Sequence, residues 1–412
     1  MNEKTQISLP QDANSTGRSF GQAEIEALIQ VIESGTLNRT KGTVTDELEA
    51  KFAEFCDRPY CRAVSSGTAA IHAAVAAIDP EPGDEIITTP ITDMGGITPI
   101  LYQSAIPVFA DVDPLTYNVT ADTIRRVVTP RTKAVIVTHL FGNCCDMAPI
   151  VELCNELRIP LIEDCAQAYG ATYQGQPVGS IGTIGCFSLQ QGKHLTSGEG
   201  GLVVTADKDL ARRIRLFSDK AWGYGDEKPD HYFVALNYRI TELQAAVALA
   251  QLEKLPSMIA ARVATAELLT ARLAEIEGID APELTPGSTH VYWRYPLRVD
   301  PNLIEGGADE LGSLLRKAGI GCSPRYIQKP AFECAVLAER RTFGKSEFPF
   351  RGEHRQGAPD VVYSREQTPG TIEALSRVVV LPWNEKYTPD HVDFIAGALA
   401  ECSSALTAAG VV

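Results

Sequence analysis

Between Thr68 and Thr205 the hydrophobic positions switch repeatedly between two periods. Ala69 to Ile78 is apolar in a helical pattern, and after the Pro82-Gly83 turn Glu85 to Thr89 reads as a short strand. Ile106 to Ala110 is a second strand, Ala121 to Val128 a helix and Lys133 to Thr138 a continuous apolar strand. Ala148 to Leu157 is a helix again, and Ile159 to Ile162 a strand. Short apolar strands alternating with helices predict an α/β fold with a parallel sheet covered on both faces. In such sheets the ligand sits beyond the carboxyl ends of the strands.

After a strand at Gly201 to Thr205, helical spacing dominates: Leu210 to Ser218, Ile240 to Leu255 with a break expected at Pro256, then Met258 to Glu277. The pattern predicts a large domain over residues 1–255, opened by a helical segment, and a smaller C-terminal α+β domain over 256–412. The second contains a strand at Val291 to Val299 and helices near Asp309 to Ala318 and Pro389 to Ala408. Residues 337–370, rich in Arg, Gly, Pro and Glu, read as an irregular surface loop.

Charge and composition narrow the function. The 412 residues carry 37 Lys+Arg against 52 Asp+Glu, a net charge of −15, which argues against non-specific nucleic-acid binding. It argues more weakly against docking on anionic membranes. No apolar run reaches the length of a bilayer span and no basic-then-apolar segment opens the chain, so the expectation is a cytoplasmic protein with no nucleic-acid or membrane partner. Ten cysteines without CxxC spacing read as reduced thiols, with Cys165 and Cys186 in strand-like apolar runs. Seven scattered His residues give no metal-ligand spacing, so no metal is expected.

Three segments can carry chemistry. Ser65-Ser66-Gly67-Thr68 leads straight into an apolar helix, where unpaired backbone N–H groups suit a phosphate; an ordinary Ser/Thr N-cap fits the same residues. Ile159 to Ile162 is followed by Glu163 and Asp164, which places an acid at the carboxyl edge of the sheet; a solvated loop acid is the alternative. Ser188-Leu-Gln-Gln-Gly-Lys193 sets a lysine among Gly, Ser and Thr rather than among charges. It is not a P-loop, since position 187 is Phe and His194 follows the lysine, and no GxGxxG is present. A lysine amine for an aldehyde, a carboxylate for a pyridine nitrogen and a helix start for a phosphate are what pyridoxal 5′-phosphate requires.

The chain resembles the DegT/DnrJ/EryC1/StrS family of sugar and cyclitol aminotransferases from about Ser34 to Ala400. The markers, in order, are Ser66-Gly-Thr-Ala-Ala70, Pro107-Val-Phe-Ala-Asp-Val-Asp113, His139-Leu-Phe-Gly142 and Glu163-Asp-Cys-Ala-Gln167. Ser188-x4-Lys193 with Gly198-Glu-Gly-Gly201, and Asn237-Tyr-Arg239-Ile-Thr-Glu-Leu-Gln244, complete them. The resemblance implies the aspartate-aminotransferase fold (type I): a mostly parallel seven-stranded sheet between helices, plus the smaller C-terminal domain. It implies that Lys193 binds the cofactor aldehyde and moves the substrate proton, that Asp164 pairs with the pyridine nitrogen and that Gln167 contacts the ring hydroxyl. Gly67, Thr68 and Ser188 would bind phosphate, and Asn237 would reach the phosphate of the other subunit's cofactor in a homodimer with shared sites.

Two departures stand out. Family members usually stack an aromatic residue on the cofactor shortly after the proline matching Pro90; Ile91 to Gly96 has none, and Met94 is the expected substitute. Gln190-Gln191 stands where many nucleotide-sugar aminotransferases carry His-Pro, and resembles the branch acting on inosose-type cyclitol ketones. A related group that replaces the lysine with His performs dehydration, so Lys193 favours transamination, with His194 a packing residue. The expected reaction moves an amine from L-glutamine or L-glutamate to a keto-cyclitol or keto-sugar. Arg39, Lys41, Tyr326 and Gln328 are candidates for binding the polar ketone.

Overall fold

The computed structural model describes residues 7–408. Helices α1 (Gln22–Ser34) and α2 (Val44–Phe55) lead into strand β1 (Tyr60–Val64) and helix α3 (Gly67–Ile78). Then come β2 (Glu85–Thr88), α4 (Thr98–Tyr102), β3 (Ile106–Phe109), α5 (Ala121–Arg125), β4 (Thr132–Thr138), α6 (Met147–Leu157) and β5 (Leu161–Asp164). A hairpin of β6 (Thr172–Tyr173) and β7 (Gln176–Pro177) precedes β8 (Ile184–Ser188), β9 (Gly201–Thr205) and α7 (Lys208–Phe217). The large sheet has seven strands in the order β1-β9-β8-β5-β4-β2-β3, and β9 alone runs antiparallel to its neighbours. This is the mostly parallel α/β sheet that the alternating pattern predicts. Helix α3 is buried from Ala69 to Ala77, because its run of alanines lets it lie close between the sheet and α7.

Helix α8 (Glu242–Leu273) differs from expectation. It passes through Pro256 without a break, so the 255/256 boundary falls inside one continuous helix. A proline removes one backbone hydrogen bond, but Leu252, Leu255 and Met258 are buried around it and hold the helix on its course. Beyond α8, β10 (Ile279–Asp280), β11 (Arg294–Val299), α9 (Gly307–Lys317), β12 (Ser323–Pro324), α10 (Ala335–Ala338), α11 (Pro369–Arg377), β13 (Val378–Pro382) and α12 (Pro389–Ala408) complete the chain. Their strands form a separate antiparallel sheet, β10-β11-β13-β12, with its own core around Tyr295, Leu311, Trp383 and Leu399. Leu9, from the N-terminal segment, packs against that second core.

The stretch 337–370 is not a free surface loop. Phe332, Leu337 and Phe350 bury themselves against Ile97, Leu101, Ile106 and Phe109, and Tyr363 donates from its hydroxyl to the Pro107 carbonyl at 2.6 Å. The reason is topological: β3 is the edge of the large sheet, and this segment covers it. Ala331 N–H also donates to the Pro90 carbonyl, tying the segment to the loop that ends at Gly96.

Candidate active site

Three loops meet at the carboxyl ends of the parallel strands. Ser66 caps α3, its hydroxyl accepting from the Ala69 N–H at 3.0 Å. The first N–H groups of α3 therefore face outward at the positive end of the helix. Gly67 is required here, since a Cβ would lie 2.6 Å from Ser188 Cβ and 2.9 Å from its hydroxyl. A Cβ on Gly201 would likewise clash with the Ser66 carbonyl. Gly67, Thr68 and Ser188 thus form one cradle of backbone N–H and hydroxyl donors, the chemistry that holds a tetrahedral anion.

Strand β5 carries both acids itself instead of ending before them, because its first strand residue is Leu161. Neighbouring strand residues point to opposite faces, and Glu163 and Asp164 differ accordingly. Glu163 faces the core and accepts from His139 Nε2 at 3.1 Å and from the N–H groups of Gly179, Ile181 and Gly182. Burial opposes its charge, but the His139 contact and these N–H groups outweigh it and hold its pKa below the usual value. His139 Nδ1 accepts from the Cys145 N–H, which turns Nε2 toward Glu163. With Cys165 nearby this is a group of metal-ligand types, yet both His nitrogens and the Glu163 oxygens are already committed.

Asp164 faces the cleft. One oxygen accepts from the Ala166 N–H at 3.1 Å; the other has, among the described residues, only the Thr138 hydroxyl at 3.5 Å. Burial raises its pKa, against the Ala166 bond and the charge of Lys193. A buried carboxylate so weakly matched suits a cationic N–H partner. Gln167 is fixed by the Phe141 N–H, which donates to its side-chain oxygen at 2.8 Å.

Lys193 lies in the turn after β8. Burial lowers its pKa to about 8, assisted by Arg294 and opposed by Asp164 and Asp93. Gln190 accepts from the Gly192 N–H at 2.7 Å and Gln191 donates to the Asp12 carbonyl at 2.9 Å, so the glutamine pair braces this turn. His194 is buried and its Nε2 donates to the Val291 carbonyl at 2.9 Å, a structural bond. Met94 packs on the cluster of Ile97 and Phe332, whereas Asp93, one residue earlier, is exposed and acts electrostatically on Lys193, Asp164 and Tyr326.

The structure therefore brings Gly67, Thr68, Asp164, Gln167, Ser188 and Lys193 together, with Met94 on the adjoining loop. Asn237 is exposed on a separate segment, and no bond among the described residues joins it to that group; its oxygen accepts from the Arg239 N–H. Tyr326 packs on Phe141 beside Gln167. Gln328 donates to the Pro324 carbonyl, and Arg39 is committed to Glu49 and Asp46. Lys41 borders a cavity with Glu242. Sequence reasoning missed Asp93, Trp293 and Arg294. The Trp-Arg pair inside an apolar strand run was the available signal for the last two.

A weakly partnered buried acid, a lysine of lowered pKa and an anion cradle at one sheet edge fit pyridoxal phosphate by their donor chemistry. The model of the DegT/DnrJ/EryC1/StrS aminotransferase family matches residues 18–350. GDP-perosamine synthase of Caulobacter vibrioides is 38% identical over 261 residues, 62% of this chain and 69% of that protein. L-glutamine:2-deoxy-scyllo-inosose aminotransferase of Streptomyces kanamyceticus is 36% identical over 320 residues, 73% of this chain and 74% of that protein. The X-ray structure of an aminotransferase from Psychrobacter cryohalolentis superposes with a TM-score of 0.82 at 31% identity, covering 95% of this chain and 98% of that one. The chain belongs to the DegT/DnrJ/EryC1/StrS aminotransferase family and is a pyridoxal-phosphate-dependent aminotransferase.

Proposed function

We propose that this enzyme moves an amino group from L-glutamine or L-glutamate to a keto-cyclitol or keto-sugar, in the biosynthesis of an aminocyclitol or amino sugar such as antibiotics contain. The observation that carries the reading is the convergence of Lys193, Asp164 and the Gly67–Ser188 cradle. Pyridoxal phosphate, when bound, supplies an electron-withdrawing ring that makes the amine-bearing carbon acidic. Asp164 would hold the pyridine nitrogen's proton, Gln167 would orient the ring hydroxyl, and Gly67, Thr68 and Ser188 would take the phosphate. Met94, on the loop after β2, would border the ring. Lys193 Nζ, poised near neutral pH, accepts and returns the migrating proton.

The acceptor class follows the relatives, one a GDP-perosamine synthase and one an L-glutamine:2-deoxy-scyllo-inosose aminotransferase. Gln190-Gln191 favours the cyclitol through its resemblance to that branch. We place the enzyme in the cytoplasm as a homodimer, with Asn237 reaching the partner's cofactor phosphate. Val234, three residues before it, is 95% exposed, and Tyr232 and Leu236 are also exposed, as a segment awaiting a partner surface is.

An absorbance spectrum tests the reading. The purified protein is expected to show a near-visible cofactor band that L-glutamine or L-glutamate bleaches and a keto-cyclitol restores. Restoration by a nucleotide-linked keto-sugar alone would move the acceptor to that class. A band that neither donor changes would favour another reaction of the same cofactor, such as dehydration. No band after adding pyridoxal phosphate would refute the cofactor site.

A further inference from the structure

Lys193 does not project freely into the cleft. Its Nζ lies 4.1 Å from the ring centroid of Trp293, and the guanidinium carbon of Arg294 lies 4.7 Å from the centroid of the same ring. The ring is fixed to the lysine turn, because its indole N–H donates to the Gly192 carbonyl at 2.7 Å. The Trp293 backbone N–H donates to the Phe141 carbonyl at 2.9 Å, anchoring it to the loop after β4. Arg294 donates to Asp12 at 2.6 Å, and Arg18 donates to the Lys193 carbonyl at 2.9 Å. The N-terminal segment, the start of β11 and the lysine turn are thus one hydrogen-bonded unit.

We propose that Trp293 and Arg294 are positioning residues for Lys193: the indole face is the seat of its amine whenever the cofactor does not hold it, and Arg294, packed on the same ring, sets a second cation beside that seat. The inference rests on the reading that Lys193 is the working lysine. A lysine released in mid-reaction has four rotatable bonds and must return a proton to one atom. A ring tied to Gly192 keeps the Nζ within reach. The ring alone attracts the cation, whereas a second cation on the same ring repels it. The other charged groups acting on the amine are Asp164 from β5 and Asp93 from the loop after β2, both favouring the cation.

Competitive labelling with trace acetic anhydride across pH, on the full-length chain stripped of cofactor, reads the Lys193 midpoint by peptide mass spectrometry. The native midpoint is expected near 8. Trp293→Leu should lower it by roughly half a unit through loss of the aromatic face. Arg294→Gln should raise it by roughly half to one unit through loss of the repelling charge, and Arg294→Lys should leave it in place. Opposite shifts support the proposal, since general loosening would move both midpoints upward toward an ordinary lysine. Shifts in one direction, or none, would overturn it. Should Trp293→Leu fail to fold by circular dichroism, Trp293→Phe decides with the arginine variants, and it must keep the midpoint near 8. No cofactor enters the assay, so a failed absorbance test would sink the functional reading while leaving this result standing.

Discussion

At the scale of single residues, the position of the Lys193 proton is set by burial and by three charges of known placement. Asp164 and Asp93 favour the cation, while burial and Arg294 favour the free base. Below a pH of about 8 the amine is cationic, and above it the amine is free to act. The folded chain binds this proton less tightly than the unfolded one, so protonation of Lys193 costs folding stability. That penalty is full below about 8 and fades as pH climbs toward the ordinary lysine value. Asp93 is exposed, with one oxygen accepting from the Gly95 N–H at 2.8 Å, so its removal leaves no buried group stranded. Asp93→Asn should lower the Lys193 midpoint by roughly half a unit, which at pH 7 speeds acetylation of that lysine about threefold. A midpoint unmoved from the native value would show that Asp93 has no electrostatic part in the site.

At the scale of elements, what could be read from the sequence depended on whether a segment's partner was implied by its own period. Strands such as Thr132–Thr138 and the helix Pro389–Ala408 declare themselves because their apolar positions repeat locally. Glu163 and Asp164 were legible as acids at a sheet edge, but their opposite facings follow from a strand start at Leu161 that the Ile159-Pro160 run disguises. Trp293 was legible only as a strand residue, since its seat beside Lys193 depends on bonds to Gly192 and Phe141 far away in the chain. The segment 337–370 hid its role most completely. Its few apolar anchors are irregularly spaced, and their partners Ile97 and Phe109 lie more than two hundred residues earlier. Within that segment Arg355 is buried, its guanidinium donating to Glu85 at 3.1 Å, to the Gly83 carbonyl and to the Pro359 carbonyl. Arg355→Ala strands Glu85 in the interior with the Thr129 hydroxyl and should cost about 3–5 kcal/mol in urea unfolding. A loss under about 1 kcal/mol would mean that the segment contributes little to holding the sheet edge.

At the scale of the whole molecule, the question is whether one chain contains a working site. Lys193, Asp164 and the phosphate cradle all come from a single large sheet, whereas Asn237, three residues after Val234, is exposed and among the described residues has no bond to them. If Asn237 serves the partner's cofactor, the defects Lys193→Ala and Asn237→Ala lie in different sites once two chains are mixed. Each variant alone places its defect in both sites of its homodimer. In a mixed dimer, one site combines Asn237 of the first chain with Lys193 of the second and is whole, while the other site carries both defects. Unfolding and refolding equal amounts of the two variants gives mixed dimers in about half the molecules, so about a quarter of the native activity should return. Cofactor retention should recover in the same proportion, which the near-visible band reports separately from turnover. If each site is built from one chain, mixing can yield no more than the average of the two parent variants, and the assignment of Asn237 to the partner would fall.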